Sequence, residues 1–379
     1  MPIDHKVFVT LLGNSVVNSH APYRDALSSG SLKLAVLIEL ARKAEVPWSL
    51  FFAPMELVRA QQRAKTARLL QGVSSETFTV NSRTVVQLRD IELIVKDLLN
   101  KQALLRKHDD TLVRNPLIGL LRKSRGSLAR DAEALLEVLE LDRQEIWSLS
   151  KHQAALELVI AKLEAKQVLV SRSVRGYMPQ LIKVHFSGMT VRDSKVPYIF
   201  LAGGDHEDYQ EPVGRQIFTL MLMAVLIGRG IFAPVTYDAQ STAPEPGLEY
   251  DLVGEILMPA IEINKLDLGS MEALEVAARR FKVTPSAMTV RAMRLGVMHA
   301  EVGLKYLAEL EEAFRNRGKQ RFGAPNRFNA VRKYGSRELS IRLLGAVDRG
   351  TLPAREFCRV VSLNRLRPSQ LVEFRQALG

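Results

Sequence analysis

Cysteine is nearly absent: among 379 residues only Cys358 occurs. A single thiol cannot build a disulfide framework, a cysteine-rich zinc module or an iron–sulfur cluster, and it fits a reducing compartment. Taken alone, Cys358 reads as a small buried hydrophobe. Histidine is sparse too. His5, His20, His108, His152, His185, His206 and His299 are never three or four positions apart, so no helix face carries an imidazole pair. Long apolar runs are also missing. The longest, Ile217 to Ile227, is interrupted only by Thr219 and is shorter than the about 20 residues a membrane helix needs. The N-terminus lacks the basic flank, apolar stretch and small-residue cleavage site of a secretory signal. These absences predict a soluble, cytoplasmic chain without membrane contact. No phosphate-binding glycine loop is present, Gly203-Gly204 being a turn signal only.

What is present is an ordinary globular mixture, 47% apolar and 25% charged, long enough for two or three domains. The charge is biased: 53 Lys and Arg oppose 41 Asp and Glu, a net +12 that points to a polyanionic partner. Two windows concentrate it. Met55 to Arg130 holds 15 cations against 7 acids, and Arg315 to Arg337 holds eight cations and no acid.

The pattern predicts an α+β, predominantly helical chain with few short strands. Leu34, Leu37, Ile38 and Ala41 recur at helical spacing, with Ser31 as N-cap and Val46-Pro47 as stop. Trp48, Phe51 and Phe52 follow as an aromatic plug. Ser82–Lys107 and Gln153–Lys166 read as helices, Val168–Arg172 and Pro197–Ala202 as strands. The run around Ile217–Ile227 is too uniformly apolar for a surface helix. Between Glu275 and Met298, Thr284-Pro285 supplies an N-cap and first helical residue between two helices, either a helix-turn-helix or a structural corner. The expected organisation is 1–54, a region of short helices; 55–150, a basic helical linker; 151–300, an α+β domain; and 301–379, a basic helical region.

Catalytic chemistry is poorly represented. His206 beside Asp205, Glu207 and Asp208 is either an acid/base or metal cluster or a solvated turn. The basic windows are the better lead. Arg315, Arg317, Lys319, Arg321, Arg327, Arg332, Lys333 and Arg337 interleave with Phe314, Phe322, Phe328 and Tyr334. Such cations can contact phosphates and such rings can stack on bases, although the rings can equally belong to the core.

Several blocks resemble the ImmA/IrrE family: Pro197-Tyr-Ile-Phe-Leu-Ala-Gly-Gly-Asp205, Arg215-Gln-Ile-Phe-Thr-Leu220, Glu255-Ile-Leu-Met-Pro259, Ala277 to Met288 and Arg294-Leu-Gly-Val297. Leu37 to Phe52 and Arg89-Asp-Ile-Glu-Leu93 are similar to its fused subfamily, and the blocks follow in order along most of the chain. The resemblance implies a zincin-like metallopeptidase domain behind a Cro/repressor-type helix-turn-helix, from phages, mobile elements or stress systems. In family enzymes a His-Glu-x-x-His motif supplies two zinc ligands and a general base. Here Leu222 and Leu226 stand where the histidines would be and Met223 where the glutamate would be. The third family ligand lies upstream of the Met-Pro block, where Glu245 and Glu249 occur, neither in clear register.

The resemblance makes residues 1–54 a degenerate helix-turn-helix, since this front is shorter than a complete four- or five-helix repressor domain. Its candidate reading segment, Val16–Ser28, offers mainly Arg24 and His20. The resulting expectation is a non-enzymatic regulator with no metal or cofactor that associates with DNA and self-associates, its peptidase-like domain serving sensing or a regulatory protein partner. Two other readings stay open: an antitoxin-like or defence-complex subunit without DNA, and an active peptidase using displaced ligands such as His206 and Glu207.

Overall fold

A computed structural model describes residues 2–69, 88–182, 187–203, 211–232, 234–235, 247–316 and 325–379. The chain begins with α1 (His5–Leu12), a 3-10 turn (Val16–Ser19), α2 (Ala21–Ser29), α3 (Leu34–Lys43), a second 3-10 turn (Trp48–Phe52) and α4 (Met55–Leu69). Next come α5 (Leu88–His108), α6 (Leu128–Leu139), α7 (Arg143–Ser148) and α8 (His152–Ala165). Strands β1 (Leu169–Arg172), β2 (Gly188–Val191) and β3 (Tyr198–Leu201) precede α9 (Val213–Arg229) and the two-residue β4 (Pro234–Val235). The remainder is helical: α10 (Leu248–Leu257), α11 (Ala260–Ile263), α12 (Met271–Phe281), α13 (Pro285–Arg294), α14 (Ala300–Arg315), α15 (Arg327–Gly335), α16 (Arg337–Asp348), α17 (Ala354–Val361) and α18 (Leu371–Leu378). The chain is α+β and predominantly helical.

The sheet order is β1-β3-β2-β4. β1 runs parallel to β3, with Leu169 opposite Tyr198, whereas β2 is antiparallel to both β3 and β4. Alternation of side chains sends Val170, Ile199 and Leu201 into one core and Leu169, Tyr198 and Phe200 into another. Helices α8 and α9 cover the first face, and α5, α15 and α16 cover the second. Burial on both faces explains why Tyr198-Ile-Phe-Leu201 reads as continuous rather than alternating hydrophobicity.

A third core lies at the front, where Phe8, Leu11, Leu12, Tyr23, Leu37, Leu40 and Phe51 pack together. Residues 55–150 do not share a core of their own: Val58 of α4 joins the front, α5 joins the second face, and α6 and α7 pack on the first-face side. Residues 301–379 divide similarly, with α14 against α13 and α15–α18 around the second face. Helix α3 also differs from the expectation. Ser31 is occupied in a local turn with Ser29, so the helix starts after Lys33, with no side-chain cap. Its buried face is Leu37, Leu40 and Ala41, while Leu34 and Ile38 are 57% and 41% exposed. By contrast, Thr284 accepts from the Ala287 amide with Pro285 opening α13, as its sequence predicts.

Behind the sheet sits a buried polar group. The Tyr334 hydroxyl donates to Asp97 Oδ2 at 2.6 Å, and Lys101 Nζ stands 2.8 Å from the same oxygen and 3.9 Å from the Tyr334 ring centre. It fixes α5 to α15 across the second core.

Candidate nucleic-acid interface

Helix α9 starts after Pro212 and stops at Gly230, whose φ of 77° suits a residue without Cβ. From Thr219 to Gly228 every residue is buried, because α8 and α10 flank the helix and β2 and β3 lie against it. Leu222, Met223 and Leu226 are 4%, 0% and 6% exposed. Met223 lies directly against β2: a Cβ at Gly188 would meet its Sδ at 2.9 Å. Glu249, in the first turn of α10, stands 4.0 Å from Arg229 Nε, too far for a hydrogen bond but close enough for attraction. Zinc would need nitrogen, thiolate or carboxylate donors converging on an open position. The residues here supply two leucines, a thioether and one carboxylate turned to a guanidinium, so they do not fit that ion. Glu245 and the cluster of Asp205, His206, Glu207 and Asp208 lie outside the described residues. Among the described residues no group of three or more His, Cys, Asp or Glu side chains converges as a metal site.

One carboxyl near the start of α9 escaped the sequence reading. Glu211 is buried; its Oε1 accepts from the Ser187 hydroxyl at 3.1 Å and its Oε2 has no partner. Burial pushes this carboxyl above its usual range, with Arg215 opposing the shift. Only fold geometry brings Ser187 to it.

The C-terminal cations are less free than their sequence suggests. Arg315 pairs with Glu311 one turn back on α14. Arg332 donates to the Ala377 carbonyl at 3.4 Å, and Arg337 donates to those of Leu378 and Gly379 at 2.7 and 2.8 Å. These two arginines therefore satisfy the carbonyl end of α18. Arg327 and Lys333 are exposed on α15, and Arg317, Lys319 and Arg321 lie outside the described residues, as does Phe322. The expected base-stacking rings face inward: Phe328 packs against Phe374 at 6.3 Å, and Tyr334 is buried in the second core.

At the front, α2 buries only Tyr23, which stacks on Phe8 at 5.6 Å. Arg24 is exposed on this helix, but the next residue is the exposed Asp25 and His20 is half-buried. The turn after α1 is held from behind. Arg89 of α5 donates to the Gly13 carbonyl at 2.7 Å, and its amide donates to Asn14 Oδ1 at 3.2 Å. Lys96 Nζ lies 2.6 Å from Glu45 Oε1, and Lys65 donates to the Ala44 carbonyl.

A stronger cationic surface occupies the connection from α5 to α6. From Thr111 to Arg130 there are five cations and no acid. Arg114, Arg122, Lys123, Arg125 and Arg130 are all exposed, and among the described residues none of them forms an ion pair. The loop beneath them is well anchored. Asn115 Nδ2 donates to the Lys166 carbonyl at 2.7 Å, Leu117 and Leu121 are buried, and the Leu121 amide donates to the Gly228 carbonyl at 2.9 Å. Buried Asp131 accepts from the Arg125 amide at 2.8 Å, so it anchors the loop and pairs with none of the surface side chains. The charge count over 55–130 averaged this window with the acids of α5; a count confined to the acid-free stretch isolates it.

No helix among the described residues is long and apolar enough to cross a membrane. No protein-family model, curated protein or solved structure matches the chain, so its affinities rest on its own residues.

Proposed function

We propose that the chain is a non-catalytic regulatory protein that associates with DNA, in which a peptidase-like domain without zinc serves sensing or partner binding. The resemblance to the ImmA/IrrE family supplies the context of a phage, mobile element or stress system in the cytoplasm. The observation that carries the reading is the burial of Leu222, Met223 and Leu226 in α9, which leaves the family's ligand and base positions as packed hydrocarbon and thioether. The excess of cations supports a nucleic-acid partner. Metal analysis of the purified chain and a salt titration of DNA binding test it together. Substoichiometric zinc and a steep fall of affinity with salt are expected, whereas one firmly held zinc with peptide cleavage would overturn the reading.

A second reading, a protein-interaction subunit that does not bind DNA, is favoured by the exposed Leu34, Ile38 and Trp48 on the front core. A stoichiometric protein partner copurifying without nucleic-acid absorbance would select it. Self-association belongs to either reading and is measured by light scattering.

A further inference from the structure

From the connection between α5 and α6 we infer that Arg114, Arg122, Lys123, Arg125 and Arg130 form a phosphate-backbone platform for double-stranded nucleic acid. The inference rests on the DNA-associated reading and places its contact away from α2 and from the C-terminal arginines.

The first argument is electrostatic. These five side chains occupy a 20-residue stretch without an acid, all are exposed, and among the described residues none is engaged in an ion pair. From Thr111 to Asp131 five cations stand against one acid, an excess that Arg315, which faces Glu311, and Arg24, which precedes Asp25, do not have.

The second argument is geometric. Arg122 lies over two glycines: its Nε would stand 3.3 Å from a Cβ at Gly119 and 2.9 Å from one at Gly230. Both glycines have positive φ, 79° and 77°, so the loop and the end of α9 are shaped to let the guanidinium pass across them. Ser127 caps α6 and thereby fixes Arg130 in its first turn. Cations on an ordered scaffold lose less freedom on binding than cations on a floppy tail.

The third argument is composition. No aromatic residue occurs between Thr111 and Arg130, so the platform offers no ring for stacking on unpaired bases, which favours a duplex over a single strand. Leu117 and Leu121 are buried and Val113 alone of the large apolar side chains in this stretch is exposed, too little apolar surface for an interfacial anchor, which favours a nucleic acid over an anionic membrane.

The test uses the full chain, a labelled random-sequence DNA duplex and fluorescence anisotropy at several salt concentrations. If all five cations contact phosphate, the slope of log affinity against log salt is about −4.5. The combined variant Arg122→Gln, Lys123→Gln, Arg125→Gln and Arg130→Gln changes only exposed side chains and is expected to flatten that slope by about 3.6, whereas Arg24→Gln changes it by at most about 0.9. Circular dichroism and Tm of the variant check that the fold is kept. Wild-type binding with an unchanged slope in the variant overturns the platform and leaves the DNA-associated reading standing. Absence of salt-dependent duplex binding in the wild type overturns both. Binding to phosphatidylserine vesicles but not to duplex, lost in the variant, replaces nucleic acid by membrane and also overturns the inference.

Discussion

The Ser336 hydroxyl donates to Glu164 Oε1 at 2.6 Å, joining positions 172 residues apart. The other carboxylate oxygen accepts from the Glu338 amide at 3.2 Å, so one side chain of α8 caps the start of α16. Ser336 has φ 63° and ψ 134°, a backbone conformation uncommon for a residue with a Cβ, and these contacts hold it there. Glu164 is only 4% exposed, and burial pushes its carboxyl up to about 7 from 4.5. A raised carboxyl pKa means that the folded state holds the proton more tightly. The associated stability is therefore present below pH 4.5 and lost as pH rises through about 7, by about 3 kcal/mol in all. Glu164→Gln is expected to remove this component, so the difference between wild type and variant in urea denaturation changes across that window. An identical pH profile for both proteins would contradict the assignment.

Asp97 serves two partners at once, Lys101 and Tyr334. Burial lowers the Lys101 pKa, and the Asp97 carboxylate opposes that shift. Asp97→Ala leaves a buried ammonium unpaired and is expected to cost about 3–5 kcal/mol. Replacing Lys101 by Met and Asp97 by Leu together is expected to cost less than Asp97→Ala alone. Denaturant midpoints of the variants read out this non-additivity.

Gly188 marks the close approach of β2 to both α9 and β3. A Cβ there would collide with the Phe200 carbonyl oxygen and lie 2.9 Å from Met223 Sδ. Gly188→Ala is expected to lower stability by about 1–3 kcal/mol or more. Trimming Met223 to Ala in the same chain is not expected to rescue it, because the backbone contact remains. Thermal melts of the single and double variants decide the matter.

Arg89 holds the Gly13 carbonyl from α5. Arg89→Ala is expected to weaken docking of the front core by about 1 kcal/mol, after allowance for its partial exposure. Limited proteolysis should then release residues 1–54 faster, with the main thermal transition unmoved. Equal cleavage rates would show that the apolar packing of α1 against α4 suffices.

Much of the middle was legible in the sequence. The long apolar run of α9, the short Val168–Arg172 segment with its two valines and the Thr284-Pro285 corner each carry a local signal strong enough to stand without tertiary help. Strand β2 carries none, since Gly188-Met-Thr-Val191 has no strand without β3 beside it. Nor could spacing show which stripe of α3 would face the core: Leu34 and Ile38 obey helical spacing as well as Leu37 and Ala41 do, and the outcome depends on where the two 3-10 turns pack. The arginines at 332 and 337 looked like partners for phosphate because the carbonyls they hold lie about 40 residues further on. Charge spacing along the chain is blind to such long-range acceptors.

The way α5 is completed has a consequence for biosynthesis. Asp97 meets Tyr334 across 237 positions, and Asp109 meets Arg342 across 233. At ordinary elongation rates the ribosome needs on the order of 10–50 s to deliver those partners. Throughout that interval Ile91, Ile94, Val95 and Leu98 have no α15–α18 core to enter. The nascent chain thus carries an apolar stripe and an Asp109 carboxylate without its arginine until its last helices emerge, which makes it a natural client for chaperones during synthesis.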